Sequence, residues 1–340
     1  MLDIANKLGV SVVTVSNALA GREGVSDQMR KKICETAEKM GYKPSNTRNG
    51  RKNSVLPKIG KNVGILTSER FVGPRGTFYW ELTVGISNKL SQLNVFTVYE
   101  CVTSENEEAG NMPNMLTENK VDGVIVIGQV HRAYIEMLSR VEKPVIFVDF
   151  YDSCYEVDSV NSDSYNGGYL VTDHLIRMGH RDIGFYGTLN ATSSINDRFL
   201  GYMKCLIEND IPYRPEWTIG DRSGDGRFLD KMIFPDELPT AFVCNCDEAA
   251  FHVITELRSK GVRVPEDISV VGFDNYISSN IGVPAITTIA VDIGKMAETS
   301  VDLMVKKLAD PGYKAGRVVI SVKLVVKDSV LDISGGKHNV

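Results

Sequence analysis

A chain of 340 residues with 43% apolar and 24% charged residues has the composition of an ordinary globular protein, excludes a low-complexity or repeat architecture, and outgrows a single hydrophobic core. Its net charge of -5 is uneven: residues 1–52 carry plus 5 and the remaining 288 carry minus 10, which suits a phosphate-binding head on an acidic body. No segment approaches ~18 uninterrupted apolar residues and the start, MLDIANKLGV, is no signal peptide, so a cytoplasmic protein with no membrane partner is expected.

Taken in chain order, Asp3 to Leu8 has helical spacing with Ile4, Ala5 and Leu8 on one face, and Gly9 stands where the chain must turn. Ser11 is the N-cap of a second helix running to about Leu19, whose inner face is Val15, Ala18 and Leu19. Val12, Val13, Ser16, Asn17 and Ala20 share the other side. Two valines are poor choices for a solvated face. In a DNA major groove they would meet thymine methyls, and Asn17 would offer a donor and an acceptor to an adenine edge. Ser26 caps a third helix to about Met40, with Met29, Ile33, Ala37 and Met40 as its buried stripe; Gly41 and Pro44 then stop it. Three short helices with a tight turn between the first two describe a helix-turn-helix, with a plain helical bundle as the alternative.

The phrases DIANKLGVSVVTVSNALAG, then VS, then MGYKP resemble the N-terminal signature of LacI/GalR-type repressors. That resemblance implies base-reading positions at Val12, Val13 and Asn17, and phosphate or capping contacts at Ser11, Thr14, Ser16 and Ser26. Asn17 replaces the Arg often found at its position, so no operator sequence can be carried over. The next stretch, SNTRNGRKNSVLPKIGK, is a flexible linker by composition. In the family it folds on DNA into a hinge helix whose Ala and Leu, three residues apart, wedge the minor groove. Arg48 and Arg51 stand at those positions, and Asn49 and Gly50 lower helix propensity, so the segment departs from the family's wedging hinge and leaves open whether it folds on DNA. Arg48 and Arg51 are instead candidates for phosphates or a narrow minor groove, with a basic tether as the alternative.

Beyond Asn62, short apolar runs alternate with amphipathic stretches, the mark of a parallel sheet covered by helices. Strands are expected at Val63–Leu66, Val95–Tyr99, Gly123–Ile127, Val145–Val148, Ile183–Tyr186, Ala241–Val243 and Ile268–Val271. One sheet of this length would be large, so two doubly wound lobes with a ligand cleft at their strand ends are expected. GGYLVTDHLIRMGHRDIGFYG, RFLGY, VPEDISVVGFDN and PAITTI resemble the family's sensor domain, which is similar to periplasmic sugar-binding proteins. The expected architecture is therefore α/β: a helix-turn-helix headpiece (1–45), a linker or hinge (46–61) and a two-lobed, periplasmic-binding-protein-like (type I) effector and dimerisation domain (62–340). Its first lobe would take about 62–160 and 292–318, and its second about 163–288 and 326–336.

At the family's effector positions stand Asp149, a carboxylate for paired hydroxyl bonds, Arg198, a planar fork of donors, and Asp274. Turn-capping and surface roles are the alternatives for each. Phe78, Tyr79 and Trp80 follow the first strand where the family has pocket aromatics; three adjacent rings cannot share one helix face, so one or two would meet ligand and the rest pack inside. Ser193 and Ser194 are further candidates, and Cys246 fills the place of an Asn usual before the Asp of CNCDEAA. Asp247 is either the cap of the next helix or a ligand contact.

Six cysteines without a CxxC pair suggest neither a zinc site nor a disulfide framework, so no metal and no cofactor is expected. There is no P-loop, GxGxxG after a strand, GxSxG or HExxH, and His131, His174, His180, His252 and His338 are dispersed, so no catalytic site is expected. The function expected is a DNA-binding regulator, a homodimer on double-stranded operator DNA, controlled by a small sugar-like effector in the cleft. A solute-binding sensor without an effective hinge and a sugar- or nucleoside-processing enzyme are the alternatives; DNA binding separates the first and turnover the second.

Overall fold

The computed structural model describes residues 2–19, 24–40, 61–72, 77–223, 226–229, 232–276 and 284–335. The chain divides into two compact units, Met1–Pro57 and Lys58–Val340.

In the first unit, helices α1 (Leu2–Leu8), α2 (Val12–Leu19) and α3 (Asp27–Lys39) are set by their ends. Gly9 takes φ +63 at the turn, where a side chain would be strained, and the Val10 amide closes on the Ala5 carbonyl at 3.1 Å. Ser11 Oγ accepts the Thr14 amide at 3.0 Å, satisfying one of the orphan donors of α2. Ile4, Ala5, Val15, Ala18, Ile33 and Ala37 form the core. Arg30 Nη1 donates to the Ala18 carbonyl at 3.2 Å, so α3 caps the end of α2 as well as packing on it. The expected stripe of α3 ends sooner than the spacing suggests. Met40 lies one residue past the helix and is 40% exposed, whereas Ala37 in the last turn is still in the core.

In the second unit the elements run β1 (Asn62–Ser68), α4 (Phe78–Gln92), β2 (Phe96–Val102), α5 (Ser104–Ala109), α6 (Asn114–Thr117), β3 (Gly123–Ile127), α7 (Arg132–Ser139), β4 (Val145–Val148) and β5 (Asp158–Ser162). They continue through α8 (Ser164–Arg177), β6 (Ile183–Tyr186), α9 (Ser193–Glu208), β7 (Thr218–Ile219), β8 (Ala241–Cys244), α10 (Asp247–Ser259) and β9 (Ser269–Val271). The remainder is β10 (Thr288–Ala290), α11 (Ile293–Ala309), β11 (Arg317–Ile320) and β12 (Lys323–Val325).

Two parallel sheets result, ordered β11-β5-β4-β3-β1-β2 and β7-β6-β8-β9, with β10 and β12 as a separate antiparallel pair. The inner strands β3, β4, β6 and β8 are buried on both faces, which is why they read as apolar runs rather than alternating ones. Leu82, Ile86 and Met304 cover one face of the larger sheet, and Leu116, Tyr134 and Leu138 the other. Leu175, Tyr202 and Leu206 cover one face of the smaller sheet, and Val253, Ile254 and Leu257 its opposite face. The chain passes between lobes at Asp163, at Val291 and Asp292, and at Ser321 and Val322.

Strand order reverses between β1 and β3 in the first sheet and between β6 and β8 in the second, so crevices open at those carboxyl ends. Helix α9 is brought to this place by close packing on α8: a Cβ on Gly201 would lie 1.9 Å from the Tyr165 carbonyl oxygen, and one on Gly168 would lie 2.1 Å from that of Arg198. Only glycine lets these backbones touch.

Candidate functional site

In the headpiece, Val13 is 67% and Val12 39% exposed, while Val15 and Ala18 one face away are buried. Ser11 is exposed and its Oγ is spent on the cap, sharing a 2.9 Å hydrogen bond with Thr14 Oγ1. Ser16 and Asn17 are half-buried on the flank of the same helix, and Ser26 is exposed at the entry to α3. The structure thus gathers Val12, Val13, Ser16 and Asn17 on one surface, with Ser11 and Thr14 serving the helix end. Arg48 and Arg51 lie outside the described residues, as does most of the linker.

In the second unit, an inner chamber of about 290 Å3 lies where the strand ends of the two lobes meet. Tyr79 enters it from α4, Asp149 from the end of β4, Ser194 and Arg198 from α9, Cys246 from the start of α10, and Asp274 from the turn after β9. An outer chamber of about 870 Å3 continues toward solvent past Gln129, His131, Tyr151, Asn190 and Asn196. Arg70, Phe71, Thr192, Arg222 and Gly226 line both.

The polar groups of the inner chamber are fixed before any ligand arrives. Arg198 donates from Nη2 to Asp274 Oδ1 at 3.3 Å, from Nε to Ser164 Oγ at 3.4 Å and from Nη1 to the Asn245 carbonyl, with its plane 3.7 Å from the Phe273 ring centre. Asp149 Oδ2 accepts from Tyr79 Oη at 3.0 Å, and Tyr79 in turn packs on Phe71 with ring centres 4.5 Å apart. Asp149 Oδ1 is buried and has no hydrogen-bond partner among the described residues. Burial pushes the Asp149 carboxyl up to about 7; Arg198 opposes the shift and Asp274 adds to it. Burial also raises Asp274, against the pull of Arg198 and Arg222. Asp149 and Asp274 have φ +67 and +99, a strained backbone for non-glycine residues that aims both carboxyls from tight turns.

Trp80 and Ser193 do not face this chamber. Trp80 is 40% exposed and lines a groove on the outside of the first lobe with Val84, Thr97 and Tyr99, because one helical step of ~100° beyond Tyr79 carries it past the cleft. Phe78 touches the inner chamber but is packed into the core with Leu82 and Ile86. Ser193 turns to the outer chamber, where its Oγ accepts the Tyr151 amide at 3.2 Å and its amide meets Gln129 Oε1 at 3.2 Å. Cys246 caps α10 by accepting the Ala249 amide on Sγ, and burial pushes its thiol up to about 12. Asp247 is neither the cap nor a chamber residue; its carboxylate accepts from Thr288 Oγ1 on β10.

Arg70, Phe71, Arg222 and Tyr276 are chamber residues that sequence reasoning missed. Arg222 sits in a hairpin closed by its own bridge to Phe228, in a stretch, IGDRSGDGRF, that reads as an ordinary polar loop. Nothing in the spacing marks it. Among the described residues, no group of His, Cys, Asp or Glu side chains is placed to hold a metal ion, and no helix is long and apolar enough to cross a membrane.

Comparison with known proteins places these two sites in context. Residues 1–45 match the family described as bacterial regulatory proteins, lacI family, and residues 172–330 match a periplasmic binding protein-like domain. The chain is 29% identical to the HTH-type transcriptional repressor PurR of Actinobacillus pleuropneumoniae serotype 3, over 98% of each chain. It is 27% identical to PurR of Aliivibrio salmonicida, over 96% of this chain and 98% of that one. Among solved structures, a LacI family transcriptional regulator from Enterococcus faecium with bound ribose shares 26% identity at TM-score 0.63, over 80% of this chain and 100% of that one. The lac repressor dimer bound to operator and the anti-inducer ONPF has the same fold, with TM-score 0.65 and 24% identity over 97% and 98% of the two chains. With a helix-turn-helix head, two doubly wound lobes and these relatives, the chain belongs to the LacI family of bacterial regulatory proteins, as a DNA-binding transcriptional repressor controlled by an effector ligand.

Proposed function

We propose that this repressor acts in the cytoplasm as a homodimer on double-stranded operator DNA and responds to a sugar or sugar derivative held between its lobes. Residues 1–45 form the DNA-binding head, 46–61 the linker and 62–340 the effector-binding and dimerising part, with lobes divided at the three crossings described above. Val12, Val13 and Asn17 read base edges in the major groove, and Ser11, Thr14, Ser16 and Ser26 approach phosphates or order the helix ends. One short helix reads only a few base pairs, so useful specificity needs two heads at fixed spacing, hence the dimer.

The effector set is Tyr79, Asp149, Ser194, Arg198, Cys246 and Asp274, with Phe78 and Ser193 supporting it from behind and beside, while Trp80 faces a separate groove. The observation that carries this reading is the partnerless Oδ1 of buried Asp149. A buried carboxylate oxygen costs free energy unless a donor meets it, and a ligand hydroxyl is such a donor. Tyr79 and Phe71 add aromatic faces suited to the apolar side of a sugar ring. A ligand that contacts both lobes favours one lobe arrangement, and DNA affinity follows the shift in population.

A second reading is a flat heteroaromatic base, favoured by the Phe71 and Tyr79 ring pair at the chamber wall. A thermal-shift panel of sugars, sugar acids, sugar phosphates, nucleosides and purines separates the two, because a ligand of the native state raises its melting temperature. Stabilisation by sugar compounds, lost in Asp149→Asn, is the expected result. Stabilisation confined to purines and nucleosides would replace the sugar reading with the second.

A further inference from the structure

The wall shared by the two chambers is built from guanidinium groups of both lobes. Arg70 stands just after β1 in the first lobe, and Arg222 in the hairpin after β7 in the second. Each is gripped from behind by a buried carboxylate. Arg70 Nη2 donates to Glu107 Oε1 at 2.7 Å and to the Gln129 carbonyl, and Glu107 is 1% exposed. Arg222 Nε donates to Asp221 Oδ2 at 3.1 Å, and Asp221 is fully buried. Arg222 is further held by Nη2 against Asn245 Oδ1 at 3.4 Å and by the Phe228 ring, 4.5 Å from its Cζ. Among the described residues, Nη1 of both arginines and Nε of Arg70 have no hydrogen-bond partner.

The hairpin brings the lobes together at this point, since a Cβ on Gly226 would lie 3.0 Å from Arg70 Cδ. Two preorganised cations therefore edge the same chambers with donors to spare. Each guanidinium is already balanced by a buried carboxylate, and an anion between them would engage their remaining planar donors in bidentate fashion. Arg198 is less available for that role, because three of its five N–H donors already go to protein oxygens and its charge is paired with Asp274. The acids that line the chambers are elsewhere engaged or at the other pole: Asp274 by Arg198, Glu248 by Tyr276, Asp197 by Arg317, and Asp152 by the Cys154 amide. Asp149 stands apart as an acceptor with one oxygen open.

We propose that the effector carries an anionic group, carboxylate or phosphate, that docks between Arg70 and Arg222 while its hydroxyl-bearing part reaches Asp149. This rests on the interlobe cleft being the effector site. The ligand is thus polarised, with an acceptor end and a donor end, and joins the lobes through one group from each.

Calorimetric titration of the full chain with matched probes tests it: ribose, ribonate and ribose 5-phosphate, and glucose, gluconate and glucose 6-phosphate. At least one acidic member should bind about tenfold or more tightly than its neutral parent, and the carboxylate and phosphate arms tell which anion fits. Arg222→Gln should erase that preference, and Arg222→Lys, which keeps the charge and loses the fork, should retain part of it. The proposal is overturned if neutral parents bind as tightly as both acids, or if Arg222→Gln weakens neutral and acidic probes alike. Neutral binding that disappears in Asp149→Asn, without any anion preference, would leave the cleft reading standing and remove this one. If no probe binds, both fall together.

Discussion

Asp149 holds one carboxylate oxygen against Tyr79 and leaves the other open in a buried chamber, with its carboxyl raised to about 7. Because the folded pKa lies above the unfolded one, the folded state keeps a proton that the unfolded chain gives up, so stability drains away as pH rises from ~4 through ~7. A ligand hydroxyl that donates to Asp149 favours its ionised form. Effector affinity should therefore rise between pH 6 and pH 7.5 and level off above, measured by calorimetry in buffers that report proton release; affinity that falls over this range would contradict the assignment. The same logic gives Asp149→Asn a higher melting temperature at pH 8, by ~2–4 °C for each kcal/mol of relieved burial, together with a lost ligand response. In the headpiece, Asn17→Ala should cost ~1–3 kcal/mol at one base position and relax preference there. Binding selections on randomised half-sites would show it, and uniform weakening across all sequences would mean Asn17 reads no base.

At the scale of elements, α9 is clasped to the first lobe at the outer chamber. Tyr151 Oη donates to Asp197 Oδ1 at 2.9 Å, Arg317 Nη2 donates to Asp197 Oδ2 at 2.7 Å, and the Arg317 guanidinium lies 3.7 Å from the Tyr151 ring centre. Asp197→Asn should loosen this clasp by ~1 kcal/mol, since Arg317 is partly solvated, and so enlarge the radius of gyration of the unliganded protein in X-ray scattering. An unchanged radius and unchanged effector affinity would show the clasp to be incidental. The elements themselves were unequally legible in the sequence. The three head helices could be placed to within a residue or two, because Ser11, Gly9 and Asp27 declare their ends locally. Strand β5 could not, since DSVNS has no apolar pattern; it is buried because Ser159 bonds Asn161 at 2.8 Å and Asp158 pairs with Lys307 and accepts the Ala315 and Gly316 amides. The short strands β7, β10 and β12 carry two or three residues each, too few for any period to show. Likewise, Asp149, Arg198 and Asp274 were readable from their phrases and strand ends, whereas Arg222 and Arg70 reach the cleft only through tertiary packing that no local rule encodes.

For the whole molecule, the charge of plus 5 in residues 1–52 against minus 10 in the rest separates the two tasks in the sequence itself. A basic head gains phosphate contacts whose strength falls steeply with salt, while an acidic body avoids binding DNA on its own account. What joins the tasks is a coupling free energy, and it acts in both directions: a ligand that alters operator affinity must have its own affinity altered by operator to the same degree. The most direct test is therefore fluorescence anisotropy of a labelled operator, selected from genomic fragments, titrated with the full chain at fixed salt with and without a ligand first shown to bind the cleft. The account predicts a change in operator Kd of about fivefold or more that disappears in Asp149→Asn. Identical operator affinity with the cleft occupied and empty would contradict it.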